Sequence, residues 1–372
     1  MTKRAGRVRP CCPTRDGSYR RLSRKTCSPY QDAGRFRSGS RCGGSRKVTA
    51  KAIDPPTLEL NADQLVDWLE LAALFDPYRT ARVDSLLASL KQLSEEAEEN
   101  IGEANRGVEQ IINEIENEID LRRHHLGDTY PFRLGDGAEE LQIVENWDEP
   151  RYSFYLVCLV TSHVTGSPIL KIPPSGDLLT RLRNQIFQVL ATLAMAGLSG
   201  GPAISVGWPR RSGEPIVQLM ERAAANGAGF GIRTPPGQYT PPEEKDGGID
   251  VMAWTPEMMP PPSNLLFGQT ASGNNWPGKP VSEHARVFEN NYLQDIMTGN
   301  RGHATIIPFR IWDKRFWQAQ NLMHRSLIDR LRLPPHAYKG LQQALHGMMV
   351  DEADRVDSVV EWLREYRAAA LA

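Results

Sequence analysis

The sequence lacks the short motifs that mark the commonest nucleotide-binding and hydrolytic sites. No P-loop, no GxGxxG after a strand, no GxSxG and no HExxH occurs in the 372 residues. These absences exclude the P-loop, dinucleotide-binding, serine-hydrolase and zincin classes that such motifs define. A catalytic site in this chain has to be built from a less regular set of residues.

A long apolar run is also missing. The nearest approach to one is FQVLATLAMAGLSGGPAISVGW from Phe187, which is interrupted by Gly197, Gly200, Gly201 and Pro202. A membrane-spanning helix needs about 20 consecutive apolar residues, and the basic N-terminus is not followed by the apolar core of a secretory signal. We therefore expect a cytoplasmic protein with no membrane association.

Cysteine is scarce outside the first 50 residues. Four of the five cysteines lie there, at positions 11, 12, 27 and 42. Their spacing contains no CxxC pair, so it does not predict a structural zinc site. The fifth, Cys158, lies in an apolar run with no evident base, which predicts a core residue rather than a nucleophile.

Charge is distributed unevenly along the chain. Residues 1 to 50 hold 14 of the 44 Lys and Arg but only two acids, so this arm carries about +12 and the rest of the chain about -13. A basic arm of this kind either neutralises nucleic-acid phosphates or is a disordered or non-native extension. Because apolar periodicity begins only near Leu58, we favour the second interpretation and predict such an extension over residues 1 to 54.

Helical periodicity dominates the next hundred residues. ADQLVDWLELAALF, with Asn61 or Asp63 as the cap, VDSLLASLKQL and EENIGEANRGVEQIINEIENEIDLRR each have apolar residues at helical spacing. The third stretch is acidic around its apolar stripe, as a solvated face or a partner-binding face would be. We predict an α-helical region over 55 to 150, available for a protein partner.

From residue 151 onward, helical and strand patterns alternate. The strongest helix covers SGDLLTRLRNQIFQVLATLAMAG, and strands are predicted at AISVGWPR, GIDVMAW, NLLFGQTA and ATIIPFRIW. The run YSFYLVCLVTSH fits either a helix or a buried strand. This order predicts an α/β domain over 151 to 372, with a central sheet flanked by helices.

One pair of strands carries the best candidate for chemistry. In KDGGIDVMAW, Asp250 is an acid on an otherwise apolar strand, and such an acid is costly to bury unless a cation or several donors meet it. The next strand, LLFGQTA, ends near Gln269. A carboxylate, the Gln269 amide oxygen and the Thr270 carbonyl are the kind of oxygen ligands that Mg²⁺ accepts.

These two strands resemble the PD-(D/E)xK restriction-endonuclease-like superfamily, in particular its divergent branch with Gln in place of Glu, as in type IV restriction enzymes and phage-defence nucleases. The resemblance covers about residues 175 to 315 and includes a helix before the sheet and a helix followed by a strand after the site. It implies a restriction-endonuclease-like mixed central sheet and Mg²⁺ or Mn²⁺ as the cofactor.

Residue by residue, Asp250 matches the metal-binding acid of the superfamily and Gln269 its second ligand. The chain departs from the pattern at Ala271, where the superfamily usually has a lysine that positions the attacking water. Lys279 or Lys245 is expected to supply that ammonium group from another element. In the helix before the sheet, NQIFQVL has Gln185 and Gln188 where a glutamate would be expected.

Basic and aromatic residues elsewhere are candidates for nucleic-acid contact. Arg210, Arg211 and Arg310 are expected to approach phosphates, and Trp276 to stack on a base or sugar. The acidic balance of the body argues against a DNA-coating surface, so any DNA contact is expected to be local.

The leading hypothesis is a metal-dependent DNA endonuclease-like protein that hydrolyses phosphodiester bonds in restriction or phage defence. The alternatives are a catalytically inactive binding module with the nuclease fold and a helical scaffold that acts through its acidic helix. The sequence sets no expectation for substrate sequence or oligomeric state.

Overall fold

The computed structural model describes residues 52–97, 101–135, 139–164, 167–207, 210, 213–238, 240 and 245–372. Val48–Ala372 forms one compact unit. The basic extension predicted over 1 to 54 lies outside the described residues except for its last three positions. None of the helices in the described ranges is long and apolar enough to cross a membrane.

The helical region contains four long helices, α1 (Ala62–Leu74), α2 (Val83–Ala97), α3 (Ile101–Leu126) and α4 (Pro150–His163). Asn61 caps α1 as predicted, because its side chain accepts a hydrogen bond from the Gln64 N–H and the Gln64 side chain accepts one from the Asn61 N–H. The region also has a three-stranded antiparallel sheet that the sequence did not predict, with β3 (Glu140–Ile143) between β1 (Thr80–Arg82) and β2 (Phe132–Leu134).

The ambiguous run YSFYLVCLVTSH forms α4, and most of this helix is buried. Cys158 is fully buried within it, and burial raises the pKa of its thiol to about 12. The prediction that Cys158 is a core residue is therefore confirmed.

A mixed five-stranded sheet forms the centre of the second half, in the order β10 (Leu327–Ile328), β9 (Asn300–Ile306), β7 (Asn264–Thr270), β6 (Val251–Trp254) and β4 (Ala203–Ser205). Strand β6 is antiparallel to both of its neighbours, whereas β7, β9 and β10 run parallel. The parallel step from β7 to β9 requires a crossover, which α8 (Val281–Tyr292) provides. A separate pair, β5 (Gly231–Ile232) and β8 (Leu293–Gln294), is antiparallel.

Helices cover both faces of this sheet. One face packs on α6 (Phe187–Ser199), and the cluster there includes Val251, Ala253 and Ile306. Behind α6 lies α10 (Leu333–Leu345), so close that a Cβ at Gly197 would stand 1.9 Å from the His336 carbonyl oxygen. The chain reaches α6 through α5 (Gly176–Arg181) and a π-helical turn, and it ends in α11 (Val356–Leu371).

The opposite face of the sheet packs on α7 (Ile216–Ala225) and α8, with Met252, Trp254 and Phe267 in the shared cluster. Helix α9 (Lys314–His324) packs beside β9 and β10. Because β6 is antiparallel to its neighbours, its N-terminal end lies at the same sheet edge as the C-terminal ends of β4 and β7. Asp250 precedes β6 at that edge.

Candidate functional site

Two glycines set the path of the chain before Asp250. Gly247 and Gly248 have positive φ angles of 63° and 79°, which L side chains rarely adopt. A Cβ at Gly248 would also stand 2.5 Å from the Nδ1 atom of His284 on α8. The Gly248 N–H donates to Asp246 Oδ1 at 2.9 Å. The tight glycine turn predicted before the strand is therefore present, and it fixes where Asp250 enters the sheet.

Asp250 lies at an irregularity in the hydrogen-bonded pairing of β6 with β7. Its N–H donates to the Gly268 carbonyl at 2.9 Å, although Gly268 is already the register partner of Val251. Two residues of one strand thus face one residue of the other, which is the arrangement of a β-bulge. Bulges re-aim side chains, and this one turns the Asp250 carboxylate toward the α6 side of the sheet, where it meets Gln188 and Thr270.

Thr270 holds one oxygen of the Asp250 carboxylate. Asp250 Oδ2 accepts hydrogen bonds from the Thr270 N–H at 2.7 Å and from the Thr270 hydroxyl at 2.9 Å. Burial raises the pKa of Asp250 to about 6, against the lowering effect of these hydrogen bonds and of the Lys279 charge. Thr270 is therefore part of the site, through its N–H and hydroxyl donors.

The second oxygen of the carboxylate faces an amide from α6. Asp250 Oδ1 and Gln188 Oε1 lie 3.0 Å and 2.8 Å from the point where a Cβ of Gly207 would stand, so a larger residue there would displace the Gln188 amide. The Gln188 Nε2 group donates to the Asp250 carbonyl at 2.8 Å and to Ser205 Oγ at 3.0 Å, which fixes the direction of Oε1. Across the described ranges we find no donor to either of the two converging oxygens.

Gln269 does not join Asp250. Along β7 the side chains alternate: Phe267 and Ala271 belong to clusters on the α8 and α9 face, whereas Gly268 contacts Met195 of α6 and Thr270 contacts Asp250. Gln269 therefore points to the face opposite Asp250. The predicted pairing of these two side chains as metal ligands is wrong, because the residue that reaches Asp250 is the neighbouring Thr270.

The Gln269 side chain has a buried oxygen for which the described residues supply no donor. Its Oε1 atom is buried, and it has no hydrogen-bond partner in the part of the chain that the structure describes. Its register partner on β9, Thr305, is fully buried and contacts the Nδ1 atom of His324 at 2.8 Å. Gln269 thus borders the α9 packing layer and not the carboxylate site.

The two candidate lysines differ in their relation to Asp250. Lys279 is exposed and follows a short helical turn, Trp276–Gly278, and its charge is among the influences that lower the pKa of Asp250. Lys245 is also exposed, and its backbone carbonyl accepts a hydrogen bond from Arg210. The structure therefore places the Lys279 charge within electrostatic range of the carboxylate.

The predicted nucleic-acid contacts occupy different surroundings. Arg210 donates to the carbonyls of Glu214 at 2.8 Å and Val206 at 3.0 Å, so it braces the loop after β4. Arg211 lies outside the described residues. Trp276 is only 6% exposed and packs against the rings of Phe316 and His324. It is a core residue rather than an exposed stacking platform, because the α9 layer covers it.

Arg310 faces the helical region rather than a free surface. Its Nε atom lies 3.5 Å from Glu118 Oε1 and 3.9 Å from Asp63 Oδ1, and its Nη1 donates to the Ile311 carbonyl at 2.5 Å. Arg310 is thus part of a buried ionic cluster. On the side that faces Glu118 and Asp63, its guanidinium contacts carboxylates and is not free to approach a phosphate.

Sequence reasoning missed this cluster. Arg122 is fully buried, and its guanidinium contacts carboxylates of α1 and α3 at 2.5 to 2.9 Å: Asp63, Asp67, Glu70 and Glu118. Arg330, also fully buried, reaches Asp67 Oδ1 at 2.7 Å. Burial raises the pKa of Asp67, but the two arginines outweigh burial and hold it below its usual value. The signal was the spacing of the three α1 acids, which places them on one helix face.

A scan against protein-family models and searches of curated proteins and of solved structures find no match to this chain. Within the described ranges, no group of three or more His, Cys, Asp or Glu side chains is arranged so that it could hold a metal ion. One carboxylate and one amide oxygen remain at the bulge. Such a pair fits Mg²⁺, which keeps several waters and often takes only one or two protein carboxylates.

Proposed function

We propose that this chain is a metal-dependent phosphodiester hydrolase of the restriction-endonuclease-like superfamily that acts on DNA. The proposal depends on one observation: Asp250 Oδ1 and Gln188 Oε1 both lie within 3.0 Å of the point where a Cβ of Gly207 would stand, and the hydrogen bonds of the described residues include no donor to either. Two acceptor oxygens close to one half-buried point favour a bound cation, because two acceptors repel each other unless a cation or a hydrogen-bond donor lies between them.

The order of elements supports the same proposal. The resemblance implies a helix before the sheet, an acid at the start of one strand, a second strand beside it, and then a helix and a strand. Helix α6, strands β6 and β7, helix α8 and strand β9 occur in this order along the chain, with β4, α7 and β5 between α6 and β6 and with β8 between α8 and β9. Asp250 stands at the start of β6, where the metal-binding acid is expected.

Each residue of the site has a separate part in the proposed reaction. Mg²⁺ or Mn²⁺, when bound, polarises the scissile phosphate and lowers the pKa of a bound water. Asp250 supplies the charged ligand, and Gln188 supplies a neutral oxygen in place of the expected helix glutamate. Thr270 holds the carboxylate through two hydrogen bonds. Lys279 supplies positive charge against the charge that develops on the phosphate.

The proposed setting is restriction or phage defence, as the resemblance implies. The described body is acidic, and two of the four candidate nucleic-acid residues, Trp276 and Arg310, are engaged in internal packing or ion pairs. DNA contact is therefore confined to the sheet edge around Asp250. Strong non-specific binding is not expected, because it requires many phosphate contacts from Lys and Arg.

A matched pair of variants tests the metal ligands. Gln188→Glu adds a second carboxylate beside Asp250 and is expected to tighten Mg²⁺ or Mn²⁺ binding by at least about tenfold, because these cations prefer carboxylate oxygens. Gln269→Glu places the same change on the opposite sheet face and is expected to leave the affinity unchanged. Calorimetric titration with each metal measures both. Equal effects of the two variants would contradict the assignment of Gln188.

Cleavage of plasmid DNA tests the activity. The full chain is incubated with Mg²⁺ or Mn²⁺ beside Asp250→Asn and a control variant, Asp357→Asn, which changes an exposed acid on α11. The Asp250 variant is expected to lose cleavage and the control to keep it. Cleavage that survives Asp250→Asn would exclude this carboxylate as the metal ligand.

A second candidate function is a nuclease-fold module that binds DNA without cleaving it. The observation in its favour concerns Ala271, which stands where the proposed superfamily usually has a lysine. Ala271 is buried in a cluster with Trp276 and Ile311, on the sheet face opposite Asp250. Under this alternative neither metal supports cleavage, whereas a gel-shift assay detects DNA binding that Asp250→Asn does not weaken.

A further inference from the structure

A polar cavity that is separate from the Asp250 site lies beyond the ends of β9 and β10. It has a volume of about 190 Å³, and its walls come from the C-terminal part of α3, the loop after β9, the start of α9 and the turn after β10. Since one water in the liquid occupies about 30 Å³, the cavity has room for a group of about five heavy atoms and one or two waters. It is too small for a whole nucleotide.

The lining of the cavity is mainly cationic. Arg310, Lys314 and Arg332 stand against a single acid, Asp329, and His125 completes the polar wall. Arg310 is partly neutralised by Glu118 on its other side, at 3.5 Å. Arg332 is likewise paired with Asp329, at 2.9 Å. The three cations against Asp329 and Glu118 leave a net charge of +1, which Lys314 supplies, and this charge favours a small anion.

Asp329 restricts which anion fits. Its side chain is fully buried, and Oδ1 accepts a hydrogen bond from Arg332 at 2.9 Å. The other oxygen, Oδ2, is buried without a hydrogen-bond partner in the described ranges. Leaving such an acceptor unpaired is costly, so a ligand that donates a hydrogen bond to Oδ2 gains over one that does not.

Trp317 favours a ligand that accepts a hydrogen bond, whereas Asp329 favours one that donates. Its indole Nε1–H is buried and has no acceptor within the described part of the chain, while the Arg332 guanidinium stacks over its ring at 4.8 Å from the centroid. The ring and the guanidinium fix each other in place. A ligand at this wall must therefore offer an acceptor oxygen to Trp317 as well as a donor to Asp329.

We propose that this cavity binds a phosphate group that carries at least one proton, either as inorganic phosphate or at the end of a phosphate monoester. The P–OH group donates to Asp329 Oδ2, one unprotonated oxygen accepts from Trp317 Nε1–H, and Lys314 and Arg332 balance the charge. Sulfate has the same shape but no proton near neutral pH, so it leaves Asp329 unpaired and brings two negative charges together. The site is independent of the Asp250 proposal.

Calorimetric titration of the full chain at pH 6.5 with a chelator present tests the proposal. Inorganic phosphate is expected to bind at least about tenfold more tightly than sulfate at equal ionic strength. Asp329→Asn presents an amide donor in place of the unpaired acceptor, so it is expected to weaken phosphate binding, strengthen sulfate binding and remove the discrimination. Lys314→Met is expected to weaken both anions, whereas Lys339→Met, an exposed lysine on α10, changes neither.

Two further arms complete the test. A nucleoside 5′-monophosphate that binds more tightly than inorganic phosphate assigns the group to a nucleotide whose sugar and base lie outside the cavity, and weaker binding assigns it to free phosphate. Trp317→Phe keeps the ring and removes the donor, so it is expected to weaken phosphate binding even if the Asp329 variant does not fold. Absence of phosphate binding at millimolar concentration, or equal affinity for phosphate and sulfate in the unaltered chain, overturns the proposal.

Discussion

Replacing Asp250 with Asn is expected to stabilise the protein at neutral pH while removing its response to Mg²⁺. The pKa of Asp250 is raised from 3.8 to about 6 by burial, and the unfolded chain keeps the ordinary value. Above pH 6 the folded protein therefore carries a carboxylate that is less favourable than in the unfolded chain. Each pKa unit corresponds to about 1.4 kcal/mol, so this penalty is at most about 3 kcal/mol at pH 7.5.

The hydrogen-bonding groups around Asp250 can accommodate an asparagine. An Asn side chain can keep its oxygen on the Thr270 donors, which contact Oδ2 at 2.7 and 2.9 Å, and turn its amide N–H toward Gln188 Oε1. Both polar ends are then satisfied without a charge. The gain is expected to grow between about pH 4 and pH 6, where the unfolded chain is ionised at this group while the folded carboxyl is still largely protonated, and to be absent below pH 4, where the group is protonated in both states.

Urea denaturation of both proteins at pH 4, 5, 6 and 7.5, with and without 5 mM Mg²⁺, measures this effect. A ligand that binds only the folded state raises the unfolding free energy by RT ln(1 + [L]/Kd). Mg²⁺ is therefore expected to stabilise the wild type more at pH 7.5 than at pH 5, and not to affect the variant. An Asn variant that is no more stable than the wild type at pH 7.5, or that still responds to Mg²⁺, would refute the reasoning.

Three further outcomes follow from the packing. Ala271→Lys, which introduces the lysine that the proposed superfamily usually has at this position, is expected to destabilise the fold by several kcal/mol and not to raise cleavage, because position 271 is buried in an apolar cluster away from Asp250; a stable and more active variant in a melting and cleavage assay would contradict this. Arg122→Met is expected to cost about 3 to 5 kcal/mol in urea denaturation, since it leaves buried carboxylates uncompensated, whereas Arg82→Met, in an exposed pair with Asp84, costs under about 1 kcal/mol. Cys158 is expected to resist thiol reagents at pH 8 until the protein unfolds, because it is buried and its pKa is raised to about 12; rapid labelling of the native protein would show otherwise.

The local features of the Asp250 strand were readable from the sequence. Two glycines before an acid on an apolar strand predicted a tight turn and a buried carboxylate. The turn is present, with positive φ angles at both glycines, and Asp250 is half-buried, with burial raising the pKa of its carboxyl. The partner of the carboxylate was not readable. A single extra residue in the ladder changes which neighbouring side chain reaches Asp250, and no short-range pattern indicates a bulge between Asp250 and Gly268.

Helical spacing in the sequence predicts one of the longer elements correctly and fails for another, because tertiary contacts decide where a helix ends. The helix through LLTRLRNQIFQVLATLAMAG was predicted because its apolar periodicity extends over five turns, and it forms α5, a π-helical turn and α6. The stretch FWQAQNLMHRSLIDRLRL also has apolar residues at helical spacing, but it does not form one helix. Arg325 has a φ of 67°, which ends α9, and Leu327–Ile328 then join the parallel sheet. Tertiary pairing of the strand overrides helical propensity there.

The buried ionic cluster makes the two predicted regions dependent on each other. Arg330 follows β10 of the sheet, yet its closest acid is Asp67 on α1, at 2.7 Å, and Arg122 of α3 shares the same Asp67 oxygen at 2.7 Å. His163 Nε2 contacts the other Asp67 oxygen at 2.7 Å. Removing either region would leave charges buried without a counter-charge, which costs far more than the loss of an exposed pair. The boundary predicted at residue 150 therefore marks a change in sequence pattern rather than the edge of an independently stable domain.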